Sequence, residues 1–377
     1  MTARVVRDAQ VRVERIKTAR VALVMLIVAT VAWRLWIIRH YPDPDTDAKG
    51  HLGIARALLA HPFNVSIHWV YLPAYHFVLA ALEAVGFSSD AIRMVNCVLA
   101  ATVPLAVLRY ARRARASRSV ALMAAFFCAV SPLVNLLGTS AQQETLFVLL
   151  VLGAVHAIDA RRFWVAGGLL AIASLVRYEA WGAVALVVAC RLSRRPSLRF
   201  PASVYAPPMI AIGAWLLAHK LSDGQWFGFL RELYRYTHVQ RETFQRGPTW
   251  FSLEQPLFVF GWIIALLFFA GVRRAWRASW VLPLGIYLFL QGAWLCKGAL
   301  GSARYYESLV PFVAIAAAYG VERVSASRRW VATSIFAVAF VQLVMISSRT
   351  LPWSWPHQHH RDPHANLAAS ASPSRGT

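Results

Sequence analysis

Long apolar runs alternate along this chain with short polar stretches that are mostly basic. A helix needs about 20 apolar residues, within a range of about 17–25, to cross a bilayer. The clear candidates are 21–38, 91–108, 119–137, 200–218, 256–272, 278–296, 305–320 and 330–346. Three shorter runs, 145–158, 163–176 and 180–190, need a further argument, and the basic clusters supply it.

Arginine and lysine collect at 1–20, 109–118, 161–162, 191–199, 273–277 and 323–329. If all of these lie in the cytoplasm, as the positive-inside rule requires, that side holds 23 of the 39 basic residues against four acids within or beside the clusters (Asp8, Glu14, Asp159 and Glu322) and is net +19, and the rest of the chain is net +3. Two spans must then run between neighbouring clusters. Segments 163–176 and 180–190 become an up-and-down hairpin with Arg177, Tyr178 and Glu179 at its tip. Both arms are short, so the tip falls within membrane depth and should line a protein cavity. The expected fold is an all-α polytopic bundle of about eleven transmembrane helices, N-terminus inside. Segment 72–87, which follows Pro73, reads as an interfacial helix with Trp69, Tyr71 and Tyr75 as anchors. Pro207-Pro208 predicts a kink or local unwinding within its span.

The expected organisation is a basic cytoplasmic N-terminus (1–20), a transmembrane domain (21–346) and a disordered outer tail (347–377). The outer loops are 39–90, 138–144, 219–255 and 297–304. The first apolar run lacks a small-x-small cleavage site and continues into Trp33, Arg34 and Trp36, so it reads as a retained span.

Composition supports the membrane reading. Of 377 residues, 58% are hydrophobic and 15% charged, whereas soluble domains carry about 25% charged residues. The net charge of +22 would suit nucleic acid. The arginines, however, sit between spans as orientation signals do, so no nucleic-acid partner is expected. The four cysteines lie in apolar segments without CxxC spacing, which implies neither a disulfide framework nor a zinc site.

Ionisable residues stand out against this background. Asp43, Asp45 and Asp47 fall within five residues just past the first span, before an amphipathic stretch that Asp47 could cap. Glu144 directly precedes an apolar run. Arg93 opens the second span, and Arg304-Tyr305-Tyr306-Glu307 opens another. Each has a plain structural reading as a solvated acid, interfacial anchor or ion pair. His68, Tyr71 and His76 individually suit interfacial packing. Taken together, carboxylates and guanidinium groups converge on one face. A carboxylate can act as general base, and arginines can hold a phosphate bidentately.

At these residues the chain resembles the GT-C superfamily of membrane glycosyltransferases, which includes protein O-mannosyltransferases and lipid A aminoarabinose transferases. Asp47, His51, Ile54-Ala55 and Arg56 match the pattern after the first span, with His51 in place of the usual tyrosine. A second acid often follows the first; here that position is Ala48, and Asp45 could take over the role. Tyr71-Leu-Pro-Ala-Tyr75, Arg93-Met94, Pro132 through Ser140 to Glu144-Thr-Leu, Arg177, and Arg304-Tyr305 to Pro311-Phe312 resemble the later motifs in order, over roughly residues 1–320.

The resemblance implies an inverting transfer of a monosaccharide from a polyprenyl-phosphate donor. The acceptor would be a hydroxyl on a lipid, glycan or protein at the outer face of a bacterial inner membrane. Asp47 would be the base, with Glu144 orienting a substrate. Asp45, His68, Tyr71, Arg93, Arg177, Glu179, Arg304 and Tyr305 would form the substrate site, the arginines holding the donor phosphate. Some relatives depend on a metal, and Asp45 with Asp47 could hold a divalent cation through oxygen ligands. The competing reading is a transporter or flippase of lipid-linked sugars, against which the acids cluster at outer ends and no repeat is evident.

Overall fold

Helices account for the regular structure of the described residues in this computed structural model: 2–43, 46–244, 260–296 and 303–324, with single positions at 334, 337, 338 and 341. In chain order they are α1 (Thr2–His40), α2 (Thr46–Ala60), α3 (Pro73–Ala84), α4 (Ser89–Arg113), α5 (Arg118–Ala129), α6 (Pro132–Leu137) and α7 (Glu144–Asp159). There follow α8 (Phe163–Val176), α9 (Glu179–Ala189), α10 (Ala202–Asp223), α11 (Gly228–Phe244), α12 (Trp262–Ala275), α13 (Val281–Leu295) and α14 (Val310–Val324). Two 3-10 segments, Val65–His68 and Ala303–Leu309, bear on the site. The expected span 330–346 and the tail 347–377 lie outside the described residues, apart from the four single positions.

Local sequence sets the helix ends. The Ser88 hydroxyl accepts from the Ala91 N–H at the start of α4, and the Ser117 hydroxyl from the Val120 N–H at the start of α5. Each satisfies a donor that the first turn leaves open. Pro73 and Pro132 stand in the first turns of α3 and α6, where a missing N–H costs nothing. Gly224, at φ 71°, ends α10 in the left-handed conformation, which a side chain would disfavour.

Among the described residues, four helices are long and apolar enough to cross a membrane: Val21–His40, Ser89–Arg113, Pro196–Asp223 and Ala278–Leu295. The protein is thus an integral membrane protein, and the expected spans 119–137, 145–158, 163–176, 180–190 and 305–320 are shorter helices or interrupted ones. The run 119–137 is divided because Pro132 holds Ser131 extended, at ψ 128°, as a proline does to the residue before it. The run 305–320 opens as 3-10 helix and becomes α-helical only at Val310. Of the expected kink or local unwinding in α10, the unwinding does not occur, and the helix continues through Pro207 and Pro208. Gly167 of α8 lies against the Pro207 ring, so a packed neighbour supports the segment.

The expected hairpin is α8 and α9. Its tip is enclosed by protein, with Arg177 and Glu179 both buried, as charge among apolar helices requires. Val21, Met25, Ile210, Leu221, Leu266 and Phe269 are 61–78% exposed, a surface suited to lipid rather than water. Gly271 of α12 and Gly320 of α14 sit where a Cβ would overlap the carbonyls of Ala316 and Leu267 respectively. Small residues therefore set how closely these two helices approach.

Helix α7 is the core post. Eleven of its 16 residues are buried, the profile of a helix surrounded by others. Its first residue is Glu144, so this enclosed helix delivers a carboxylate to its own end. The hairpin tip and the segment Ala303–Leu309 meet it there.

Candidate active site

Asp47 lies in the first turn of α2, and Glu144 and Glu179 are the first residues of α7 and α9. Helix N-termini favour carboxylates through their open N–H groups. The intervening cations come from breaks in helix. Arg177 is extended (φ −145°, ψ 143°) between α8 and α9, and Arg304 lies in the Ala303–Leu309 segment.

These five side chains form one alternating row. An Arg304 terminal nitrogen donates to Asp47 Oδ2. The Arg304 Nε lies 3.6 Å from Glu144 Oε1. Arg177 approaches the same oxygen at 2.5 Å. It also grips Glu179, with a terminal nitrogen donating at 2.6 Å and Nε at 3.1 Å to both carboxylate oxygens. The Tyr305 ring lies under both guanidinium groups, at 5.2 Å from Arg177 and 5.6 Å from Arg304, a cation–π spacing.

Exposure decides which end of the row a substrate can reach. The side chains of Asp47 and Arg304 are 20% and 21% exposed, against 3% for Glu144 and 6% for Arg177. The buried end is a structural knot, and the Asp47–Arg304 end is open. Burial alone would lift the Asp47 carboxyl. The Arg304 charge and hydrogen bond outweigh it and hold the group below the usual carboxylate range. The Tyr71 hydroxyl lies beside the Asp47 carboxylate.

Arg93 is not brought into this row. It is buried, with Nε donating to the Thr139 carbonyl at 2.8 Å and a terminal nitrogen to the Tyr41 carbonyl at 2.9 Å. Asp90 lies at 3.2 Å and Asp43 at 3.8 Å. Asp43 in turn accepts from the Ser140 hydroxyl at 2.6 Å and the Ala141 N–H at 2.9 Å. These contacts fasten the end of α1 to the loop before Glu144, so Arg93 holds the frame. His68 belongs to a buried histidine cluster with His51 and His76.

Sequence reasoning did not connect those three histidines, nor did it give Glu307 a place. Glu307 is fully buried beside Thr145, 3.4 Å from its hydroxyl. Four histidines between residues 51 and 76 of an apolar chain were the available signal for the cluster. Asp45 lies outside the described residues. Among those described, no group of three or more His, Cys, Asp or Glu could hold a metal ion, and Asp47 is engaged by Arg304.

A family model for dolichyl-phosphate-mannose-protein mannosyltransferases matches residues 61–222. No curated protein matches the chain in sequence. Among solved structures, ArnT from Cupriavidus metallidurans bound to undecaprenyl phosphate superposes with a TM-score of 0.57 at 17% identity, covering 92% of this chain and 68% of that one. Its apo form gives 0.53 at 16%, covering 93% and 69%. The Archaeoglobus fulgidus oligosaccharyltransferase, in complex with Zn and sulfate, gives 0.50 at 11%, covering 88% and 54%. At these identities the likeness is one of fold. The chain thus shares its helical fold with ArnT and the archaeal oligosaccharyltransferase, and residues 61–222 match the mannosyltransferase family model.

Proposed function

We propose that the protein transfers a monosaccharide from a polyprenyl-phosphate donor to an acceptor hydroxyl at the outer face of a bacterial inner membrane, with inversion and with Asp47 as general base. The observation that carries this reading is the open end of the ion-pair row, where a carboxylate and a guanidinium meet beside a membrane bundle. The undecaprenyl phosphate bound to ArnT supports a lipid-linked donor. The density of arginine at 109–118, 191–199 and 273–277 supports placing those loops in the cytoplasm and the row on the opposite side.

In this mechanism the acceptor hydroxyl gives its proton to Asp47 while its oxygen attacks the sugar C1. The C1–O bond to phosphate breaks and its electron pair leaves on the lipid phosphate. Arg304 is the residue to receive that phosphate, since Arg177 is committed to Glu144 and Glu179. A phosphate competing for Arg304 loosens its hold on Asp47 and raises the basicity of that carboxylate as the donor binds. Glu144 positions Arg304 from behind. Purified protein offered radiolabelled polyprenyl-phosphate sugars should convert one of them into a labelled acceptor product with free lipid phosphate. Failure with every donor sugar would refute the reading.

Arg304→Met separates the two roles of that residue. Losing a charged hydrogen-bond partner of the phosphate costs about 1.5–3 kcal/mol, so kcat/KM should fall roughly 10- to 100-fold. The acid limb of the pH–rate profile should also move to higher pH. The guanidinium that depresses the Asp47 carboxyl is gone, whereas the burial that raises it remains. The variant therefore loses its base form as pH falls, at a higher pH than the parent does. An acid limb that stays in place would show that Asp47 is not the titrating base.

A further inference from the structure

Beside the open end of the row, three histidines from three elements touch in series. His51 Nδ1 lies 2.9 Å from His76 Nε2, and His68 Nδ1 lies 2.8 Å from His76 Nδ1. All three rings are buried. They come from α2, the Val65–His68 segment and α3. Both nitrogens of His76 are used, one toward each neighbour, so no single point lies within bonding distance of all three rings as a metal would require. The geometry is that of a wire. A neutral imidazole donates at one nitrogen and accepts at the other, so the chain has two self-consistent arrangements, which differ by one proton moved from end to end.

Each end meets something useful. His51 follows Asp47 by one helical turn, on the same face of α2. The Tyr71 ring lies 4.4 Å from the His51 ring, with its hydroxyl beside Asp47. At the far end the His68 ring packs edge-on against Trp215, which also packs against His219. His219 Nδ1 bonds Asp223 at 2.5 Å, and Asp223 accepts from the Ser66 hydroxyl at 2.6 Å. The Asp223 side chain is 29% exposed. The far end of the histidine chain thus packs, through Trp215, toward a partly exposed acid at the end of α10.

We propose that His51, His76 and His68 are a proton relay that discharges Asp47 during sugar transfer. The inference rests on the function proposed above. When donor and acceptor cover Asp47, the proton it has taken from the acceptor cannot leave through the same opening. It passes by way of the Tyr71 hydroxyl to His51 Nε2. The His51 Nδ1 proton moves to His76 Nε2, the His76 Nδ1 proton to His68 Nδ1, and the His68 Nε2 proton to water. No ring becomes cationic, and ring reorientation between turnovers resets the chain. Burial pushes both His51 and His68 down to about 4, which keeps them neutral at working pH. The charges and titratable groups around the chain are Asp47 on α2, Tyr71, Tyr75 on α3, Glu144 on α7, Arg177, Arg304 and His219 on α10. The three histidines are positioning residues, because they act on the acceptor proton only through Asp47.

The test compares steady-state transfer by full-length His76→Gln, His68→Gln and His76→Ala enzyme with the parent in detergent. Glutamine keeps hydrogen bonds but does not shuttle a proton. Both glutamine variants should lose kcat by about 10²-fold at an unchanged donor KM. Added imidazole should restore part of the rate to His76→Ala. His61→Ala, an exposed histidine outside the chain, should behave as the parent. Transfer that needs Asp47 but keeps its kcat in both glutamine variants overturns the relay alone. A loss in His76→Ala that imidazole does not repair assigns the cluster to packing and likewise overturns it. An absence of transfer by the parent overturns the function and the relay together.

Discussion

Asp47→Asn enzyme should fold, insert and bind donor like the parent, yet lose sugar transfer by about 10²- to 10⁴-fold, the usual contribution of a general base. Asparagine keeps the shape of the side chain and an oxygen for Arg304 to bond. What it lacks is a basic carboxylate. The ion pair it replaces is part-exposed, with both side chains near one-fifth accessible, so its loss should cost no more than about 1 kcal/mol. Unfolding temperature and expression are then the internal control. A fall in kcat at unchanged stability and donor KM locates the defect in the chemical step. Transfer by Asp47→Asn at an undiminished rate would remove the base assignment, however good the geometry around Arg304.

The sequence made the members of the row visible but not their partnerships. Glu144, Arg177, Glu179 and Arg304 stand out because each borders an apolar run, where charge is costly and needs a reason. The same logic drew attention to Arg93. Nothing in its local sequence shows that its donors go to the carbonyls of Thr139 and Tyr41, because those partners lie about 50 positions away along the chain. The burial of the α8–α9 tip followed from two arms too short to carry it past the bilayer. The break at Ser131-Pro132 was written in the sequence as a serine–proline step, but an apolar average over 119–137 conceals it. The histidine cluster was invisible for a different reason. Each ring has an ordinary explanation by itself, and only the packing of α3 on α2 brings His76 to His51.

The second large effect belongs to Arg177, and it should appear as instability. Its guanidinium satisfies Glu144 on one side and Glu179 on the other, and all three side chains are at most 8% exposed. Arg177→Met leaves two buried carboxylates facing each other without their shared cation. Stranding a buried partner costs about 3–5 kcal/mol, so the variant should show a sharply lower unfolding temperature in detergent and poor recovery from membranes. Arg177→Lys should recover only part of the loss, since one ammonium cannot reproduce a fork bonded to two carboxylates. Adding Glu179→Gln to Arg177→Met should regain stability, because it removes one of the stranded charges. These measurements are made without donor, so a missing phosphate contact cannot account for them. If Arg177→Met proved as stable as the parent, the knot would not be holding the ends of α7, α8 and α9 together, and Arg177 would return to the set of residues free to meet the donor phosphate.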